Sequence, residues 1–170
     1  MISRAFLPTF VLLAMLVAPA SVLGQTKEPV IGELSYLDRH YMTQQRAAVM
    51  ELTTGNLGRR INGDTDNDLE LLQSLLDRDI VTPDMTRELQ AMGIVLGDLL
   101  AKDLGMDWVV YEDPLGRSRA LRYRDTDNYL FPATMIARRQ EGGATTSIAD
   151  IYRKAYLSID TQREPLPFQE

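Results

Sequence analysis

The first half of the chain carries the hydrophobic pattern of amphipathic helices. Residues 34–58 repeat apolar side chains at spacings of three, four or seven, which is the period of a helix with one buried face. The side chains on this predicted face are Leu34, Leu37, Tyr41, Ala48 and Leu52. Gly55 and Gly58 follow, and they are expected to end the helix.

Two more helices are predicted before the pattern changes. Asp66 or Asp68 is placed to cap a helix over residues 69–80, whose leucines line one face. Thr82 is followed by a proline, and this pair indicates the start of a third helix, which runs over residues 83–104.

Small residues form a second stripe on the third helix. Gly93, Gly97 and Ala101 follow one another at a spacing of four. A glycine inside a helix costs about 1 kcal/mol relative to alanine, so two glycines on one face need a structural reason. We expect another segment of the chain to pack very close to this stripe, and the alternative is a groove for a partner helix or a ligand.

From Asp107 onward the pattern is that of β-strands. The sequence WVVY is β-branched or aromatic on both faces, and DPLG at 113–116 is typical of a tight turn. RSRALRYR returns from this turn, and YLF at 129–131 is a short third strand. These segments predict an antiparallel meander in which a charged hairpin covers a buried Trp108 and Val110.

Two helices are predicted after the meander. Pro132 opens the first, which Gly142 and Gly143 end, and Ser147 caps the second. The complete order is three N-terminal helices, a three-stranded antiparallel meander and two C-terminal helices. Helices and strands in separate runs indicate an α+β fold.

The ends of the chain differ in composition from its middle. An N-terminal charge, an apolar stretch and small residues up to Ala20 and Gly24 are typical of a signal peptide that is cleaved after one of those two residues. The predicted segments are residues 1–24 (signal peptide), 25–33 (linker), 34–160 (single α+β domain) and 161–170 (flexible tail). The processed protein is expected to be periplasmic or secreted and to keep no stable membrane span.

Net charge and cysteine content narrow the possible partners. The formal net charge of −6 argues against nucleic acid or anionic lipid as the main partner, and it is compatible with an envelope protein or a basic protein. An acidic surface also keeps a protein soluble without any partner. Because the chain has no cysteine, disulfides, iron–sulfur clusters and cysteine-ligated zinc are excluded.

Motifs of catalysis and cofactor binding are missing from the sequence. His40 is the only histidine, and a single histidine on a helix is usually a surface residue. The alternating aspartates of 64–68 resemble the start of a calcium loop, but the glycine and glutamate that such a loop needs are Leu69 and Leu75. With no GxSxG and no phosphate-binding glycine motif, we predict no cofactor, no metal site and no catalytic residue.

Charged residues around the predicted hairpin are the main candidates for binding. Glu112 and Asp113 are neighbours in an extended strand, so they point to opposite faces and need a third carboxylate to act together. The candidate ligand- or partner-binding residues are Trp108, Glu112, Asp113, Arg122, Arg138 and Arg139. Arg117 and Arg119 share one strand face, and hairpin arginines opposite Glu112 or Asp113 would form a surface edge with pairs worth about 0.2–1 kcal/mol each. Arg138 and Arg139 suit the C-terminal end of their helix. The alternative is that Arg122, Arg138 and Arg139 form a patch that binds an anion or a carboxylate. Ala120 and Leu121 interrupt the strand alternation and indicate a bulge or a register change.

The motifs from the third helix onward resemble a bacterial family, the domain-of-unknown-function family 3806. The shared features are Leu96-Gly97, Trp108-Val109, Glu112-Asp113, Gly116-Arg117, Ala120-Leu121-Arg122, Phe131-Pro132, Thr134-Met135-Ile136 and Arg138-Arg139. The resemblance extends from about Leu69 to Tyr156 and implies a small α+β domain of bacterial origin. It implies no activity, cofactor or catalytic residue.

Three functions remain open from the sequence. The first is a non-catalytic exported domain that binds an envelope protein or a small anionic ligand, which the lack of catalytic motifs favours. The second is a periplasmic hydrolase of envelope glycans, which requires a further carboxyl group near Glu112 or Asp113 in a cleft. The third is an immunity or inhibitor protein whose acidic charge speeds its association with a basic toxin.

Overall fold

The computed structural model describes residues 28–161, so the predicted signal peptide and all but the first residue of the predicted tail lie outside the described residues. The strands are β1 (Val30–Glu33), β2 (Asp107–Asp113), β3 (Gly116–Arg122) and β4 (Tyr129–Leu130). The helices are α1 (Tyr36–Leu57), α2 (Thr65–Asp77), α3 (Thr86–Leu104), α4 (Pro132–Met135), α5 (Ala137–Glu141) and α6 (Ile148–Asp160). The α+β class is confirmed, because the helices lie beside an antiparallel sheet. The predicted arrangement, with three helices before every strand, is wrong because β1 precedes α1.

The sheet is antiparallel and has one strand more than predicted, in the order β1-β2-β3-β4. The prediction of three strands is wrong because β1, at the end of the predicted linker, pairs with β2 and places Ile31 opposite Tyr111. Only four residues long and carrying a glycine, β1 has no clear period of two in the sequence. A strand therefore begins the described fold, before the three long helices.

The predicted bulge in the hairpin is also wrong. The β2–β3 register continues without interruption from Asp113 opposite Gly116 to Asp107 opposite Arg122. Ala120 and Leu121 are both fully buried although adjacent strand residues point to opposite faces. Burial on both faces of β3, and not a bulge, explains the apolar pair.

Helix starts differ from the predictions where several capping residues compete. Asp64, and not Asp66 or Asp68, caps α2 by accepting a hydrogen bond from the Asn67 amide. The predicted start at Thr82 is wrong, because residues 82–85 form a turn and α3 begins at Thr86. Ser147 caps α6 as predicted, accepting from the Asp150 amide.

The single helix predicted after Pro132 consists of two short ones, α4 and α5, so three helices and not two follow the meander. Pro132 is at the start of α4, as predicted. Ile136, where the two helices meet, is fully buried. This short helical segment follows β4 directly and packs against α3.

Helix α3 is the centre of the hydrophobic core. Its residues from Leu89 to Leu104 are largely buried among α1, α4 and α6. Asp103 accepts hydrogen bonds from Tyr152 at 2.6 Å and from Thr65 at 2.8 Å, which ties α6 and α2 to the end of α3. No helix among residues 28–161 is both long enough and apolar enough to cross a membrane.

The glycine stripe on α3 is a place of close packing, as we expected. An added Cβ at Gly93 would lie 2.8 Å from the Cα of Ala133 and closer still to the carbonyl oxygen of Pro132. An added Cβ at Gly97 would meet the ring of Trp108. Both glycines are therefore needed for α4 and β2 to approach α3.

The predicted apolar face of α1 is not its buried face. The buried residues of α1 are Asp38, Met42, Gln45, Val49 and Thr53. Leu37, which was placed on the inner face, is 73% exposed. Three of the five buried residues are polar, so hydrophobicity alone does not reveal which side of this helix faces the protein.

Candidate functional site

A groove of about 560 Å³, which we call the sheet groove, is lined by residues of α1, α3, the β2–β3 hairpin and the segment 131–138. Its polar lining residues are Gln90, Asp113, Arg117, Ser118, Arg119, Thr134 and Arg138. Its aromatic and apolar lining residues include Tyr41, Ile94, Tyr111, Leu115, Phe131 and Ala133. The sheet groove thus combines three guanidinium groups with three aromatic rings.

A buried carboxylate at the start of α1 fixes two of these guanidinium groups. Asp38 has only 2% of its side chain exposed, and it forms ion pairs with Arg117 at 2.6 Å and with Arg119 at 2.9 Å. Its Oδ2 also accepts the amide and the hydroxyl hydrogens of Ser35, whose hydroxyl in turn accepts from the Asp38 amide. This reciprocal cap positions the carboxylate, which joins α1 to β3.

The ionisation of Asp38 follows from these contacts. The hydrogen bond from Arg117 is the main reason that the pKa of Asp38 lies well below its ordinary value of 3.8, and burial of the carboxyl group only partly opposes the effect. Asp38 is therefore a permanent anion at neutral pH. It cannot act as a proton donor there, and it neutralises part of the positive charge of the groove.

Arg119 is held by an aromatic ring as well as by Asp38. Its guanidinium carbon lies 4.2 Å from the centre of the Tyr41 ring, a cation–π distance. Its Nε is buried and donates no hydrogen bond to any described residue. Since Arg119 is fixed by a ring and a carboxylate, little freedom remains for it to lose when a ligand binds.

The aromatic part of the sheet groove is also fixed by mutual contacts. The rings of Tyr111 and Phe131 meet edge to face, with centroids 5.2 Å apart and planes at 89°. Tyr129 meets the Tyr111 ring from another direction at 5.0 Å. Such a wall offers an apolar surface that does not have to rearrange.

Two of the predicted candidates line the sheet groove. Arg138 is exposed there and forms no ion pair or hydrogen bond through its guanidinium group with any residue of 28–161. Asp113 also lines the groove, but its Oδ1 accepts the amides of Leu115 at 2.8 Å and Gly116 at 3.1 Å. Arg138 is therefore free for a ligand, and Asp113 shapes the turn.

The other predicted candidates lie outside the sheet groove. Arg122 donates to the carbonyl of Thr126 at 2.8 Å, and Arg139 donates to the carbonyl of Met135 at 2.5 Å. Neither of them lines the sheet groove with Arg138.

The remaining two candidates contact other parts of the fold: Trp108 lies against α3, and Glu112 lies between the two neighbouring strands. The half-buried Trp108 packs on Gly97 and donates from Nε1 to Asp98 at 3.0 Å. Glu112 is exposed on β2 and pairs across the strands with Val30 and Arg117.

The sheet groove does not assemble a pair of carboxylates. Asp113 is the one carboxylate among its described lining residues, and Glu112 is not part of it. Residues 28–161 also contain no group of three or more histidine, aspartate or glutamate side chains arranged to hold a metal ion. The described lining residues therefore do not supply the paired carboxylates that glycoside hydrolysis uses.

Sequence reasoning missed Asp38, Arg119 and Tyr41, which organise the groove. One local signal was present, because Ser35 followed three residues later by an acidic side chain is a capping pattern that marks the start of a helix. The ion pair itself joins residues 79 positions apart, and nothing in a single sequence indicates such a partner.

Comparison with known proteins identifies relatives by sequence and by fold. The family model described as Domain of unknown function (DUF3806) matches residues 68–152. A crystal structure of a protein from Bacteroides thetaiotaomicron VPI-5482 is similar with a TM-score of 0.70 and 20% identity, covering 82% of this chain and 50% of that one. The chain thus spans half the length of that protein, and at this identity the likeness shows the fold alone. None of the curated proteins matches the chain.

Proposed function

The chain belongs to the family described as Domain of unknown function (DUF3806), and on that premise we propose that it is a non-catalytic domain that binds a carboxylate ligand in the sheet groove. The observation that carries the proposal is the free guanidinium group of Arg138 beside two arginines already fixed by Asp38. The proposal concerns ligands that carry both a carboxylate and an apolar or aromatic group.

The charges of the groove favour an anion. Arg117, Arg119 and Arg138 contribute three positive charges, against which Asp38 and Asp113 set two negative ones. The remaining positive charge is that of Arg138, whose planar fork of donors matches a carboxylate. The protein as a whole has a net charge of −6, so the net charge of the groove is opposite in sign to that of the protein.

The aromatic side chains define the rest of the ligand. Tyr41, Tyr111 and Phe131 line the groove next to the arginines, so a ligand that pairs with Arg138 would place an adjacent apolar group against these rings. A free organic acid and the C-terminus of a peptide share this chemistry. Either source is compatible with the groove, and the experiment below distinguishes them.

Binding can be tested by NMR titration of the ¹⁵N-labelled protein with N-acetylphenylalanine and with its amide. The two probes share their ring and differ in the carboxylate, whose bond to an arginine is worth about 1.5–3 kcal/mol. We expect saturable shifts at the amides of Tyr111, Thr134 and Arg138 with the acid, and affinity for the amide at least about tenfold lower.

Charge reversal supplies the matched control for this test. Arg138→Glu should weaken binding of the acid at least about tenfold. Since the guanidinium group of Arg138 has no partner in the described part of the chain, the variant should keep its melting temperature within about 2 °C. Arg60→Glu makes the same charge change at an exposed arginine outside the groove and should leave binding nearly unchanged. Equal affinity for acid and amide, or normal binding by the stable Arg138→Glu variant, would reject the proposal.

Two further probes separate the sources of the carboxylate. Tighter binding of N-acetyl-Ala-Ala-Phe than of phenylacetate would indicate that a peptide C-terminus is recognised. Tighter binding of phenylacetate would indicate a small organic acid. Either ranking supports a carboxylate site, provided that both probes bind more tightly than their amides.

We also propose that the protein is exported and acts in the periplasm or outside the cell. The composition of residues 1–24 supports this. Mass spectrometry of the protein isolated from the cell envelope should find a chain that begins at Ser21 or at Gln25. A chain that keeps Met1 and is found in the cytosolic fraction would contradict the proposal.

A further inference from the structure

A second groove, which we call the helix groove, lies between the C-terminal half of α1 and the beginning of α3. Its volume is about 550 Å³, and the side chains that matter here are Gln45, Glu51, Leu52, Met85, Glu88 and Ala91. It is separate from the sheet groove in its residues, although both use one side of α1. Tyr41 lines the sheet groove and Gln45 lines the helix groove, about 6 Å further along the helix axis.

Gln45 presents an unused hydrogen-bond acceptor. The residue is only 4% exposed and it is part of the wall of the helix groove. Its carboxamide oxygen Oε1 is buried and accepts no hydrogen bond from any described residue. Buried polar atoms in proteins nearly always have a partner, so a donor that comes from outside residues 28–161 would complete this site.

The charged side chains of the helix groove are mainly acceptors as well. Glu51 and Glu88 line the groove and form no ion pair or side-chain hydrogen bond within the described part of the chain. Asn56 uses its Nδ2 on the carbonyl of Leu52 at 2.9 Å, which leaves its side-chain oxygen as a further acceptor. Arg87 is the one cation among the described lining residues. The groove is thus rich in acceptors and negative by one charge.

An apolar strip accompanies these acceptors. Leu52 lies on the α1 side, and Met85 and Ala91 lie on the α3 side of the same groove. A ligand that satisfies both parts needs several donors, a positive charge and an aliphatic stem. A protonated primary amine has three donors on one charged atom, and an alkyl chain covers apolar surface while its charged end meets acceptors.

We propose that the helix groove binds a primary ammonium group carried on an aliphatic chain, with Gln45 Oε1, Glu51 and Glu88 as its acceptors. A free alkylamine and a lysine side chain of a basic protein share this chemistry. The site is independent of the carboxylate site in the sheet groove, so either can fail without the other.

The probe for this site is n-pentylamine, which is protonated at pH 7. Titrated into the ¹⁵N-labelled protein, it should give saturable shifts at the amides of Gln45, Leu52, Glu88 and Ala91, and not at those of the sheet groove. The matched controls 1-pentanol and pentanoate have the same chain without the positive charge, and each should bind at least about tenfold more weakly. Equal shifts with pentanol or pentanoate would overturn the proposal.

Variants test the two glutamates and the opposing cation. Glu88→Gln and Glu51→Gln should each weaken pentylamine binding several-fold, whereas Arg87→Gln should strengthen it because it removes the positive charge from the groove. Glu33→Gln, on exposed β1, makes the same charge change outside the groove and should have no effect. Unchanged binding in all three groove variants would refute the assignment.

Gln45→Leu separates a binding role from a structural one. The substitution removes the unpaired acceptor and keeps a side chain of similar size, so the variant should melt at an equal or higher temperature and bind pentylamine at least about fivefold more weakly. A stable Gln45→Leu variant with normal binding would show that Gln45 is not an acceptor in the site. If the variant is unstable, the glutamate variants still decide.

The source of the ammonium group is distinguished by two further probes. Nα-acetyl-lysine amide presents a lysine side chain as a protein would, and cadaverine is a free diamine. Stronger binding of the lysine derivative would support recognition of a basic protein, and stronger binding of cadaverine would support a free amine. If neither displaces pentylamine, the proposal is rejected.

Discussion

Replacing Gly93 by alanine is expected to lower the free energy of unfolding by about 3 kcal/mol, the upper end of the usual cost of overpacking a core. An added Cβ would lie 2.8 Å from the Cα of Ala133 and closer still to the carbonyl oxygen of Pro132. Both atoms belong to the backbone of α4, so no side-chain rotation can relieve the contact. To make room, α4 would have to move away from α3 in the centre of the core.

Gly55→Ala is the matched control for this substitution. Gly55 is also a helical glycine, near the end of α1, and nothing lies within 4 Å of a Cβ added there. That variant should be more stable than the parent by about 0.5–1 kcal/mol, because alanine has the higher helix propensity. Urea unfolding followed by circular dichroism would measure both changes, and a Gly93→Ala variant as stable as the parent would contradict the packing described for α3 and α4.

Replacing Asp38 by alanine is expected to lower the free energy of unfolding by about 2–3 kcal/mol. The substitution removes the carboxylate that accepts hydrogen bonds from the amide and hydroxyl of Ser35, and it leaves Arg117 and Arg119 without their shared anion. Loss of the hydrogen bonds at the start of α1 costs about 1 kcal/mol, and loss of a charged hydrogen bond at a partly buried arginine costs about as much or more. Arg117 is 43% exposed, so water compensates part of its loss.

The same variant should also affect the sheet groove. Without Asp38 the side chains of Arg117 and Arg119 are no longer held. The affinity of the variant for N-acetylphenylalanine should therefore differ from that of the parent protein. Asp107→Ala removes an exposed aspartate at the start of β2 and should change stability by less than about 0.5 kcal/mol. If Asp38→Ala proves as harmless as Asp107→Ala, the ion pairs do not join α1 to β3 as described.

Acid should weaken the fold through this carboxylate. The pKa of Asp38 is lowered in the folded protein, chiefly by the hydrogen bond from Arg117, so the unfolded chain binds the proton more readily. The stability that Asp38 contributes is therefore complete above the ordinary pKa of 3.8 and is lost as the pH falls from there toward the folded value. Urea midpoints measured between pH 6 and pH 2 should fall less steeply for Asp38→Asn than for the parent, and equal slopes would contradict this account.

Local patterns in the sequence predicted the hairpin and the close packing of α3. The signals for the hairpin are the change to a period of two at Asp107 and the proline and glycine of the turn. Each signal depends only on residues that are close in the sequence, so it can be recognised without knowledge of the fold. The same holds for the cap at Ser147 and for the stripe of Gly93 and Gly97. For the glycine stripe, the sequence indicated that another segment packs close to α3 but not which segment. The close neighbours are the backbone at the start of α4 and the ring of Trp108.

Prediction was weakest where polar groups are buried. Asp38, Gln45 and Thr53 occupy buried positions of α1, so a search for an apolar face selected Leu37, which is exposed. The same limit applies to the binding residues. The sequence indicates Arg138 as a binding residue, and Arg138 lines the sheet groove. Arg117 and Arg119 of β3 line the same groove, but their sequence pattern indicates only a charged surface edge.

What the sequence determined by itself is the α+β class and the positions of the turn, the hairpin and the glycine contacts, because helix period, strand alternation and turn chemistry act over a few residues. Only the tertiary structure decided that residues 30–33 add a strand, that Asp38 meets Arg117 and Arg119, and that Gln45 Oε1 is buried without a hydrogen-bond donor from residues 28–161. These depend on which distant segments pack together, and the free energy of burying a polar group is set by the partner that packing brings to it.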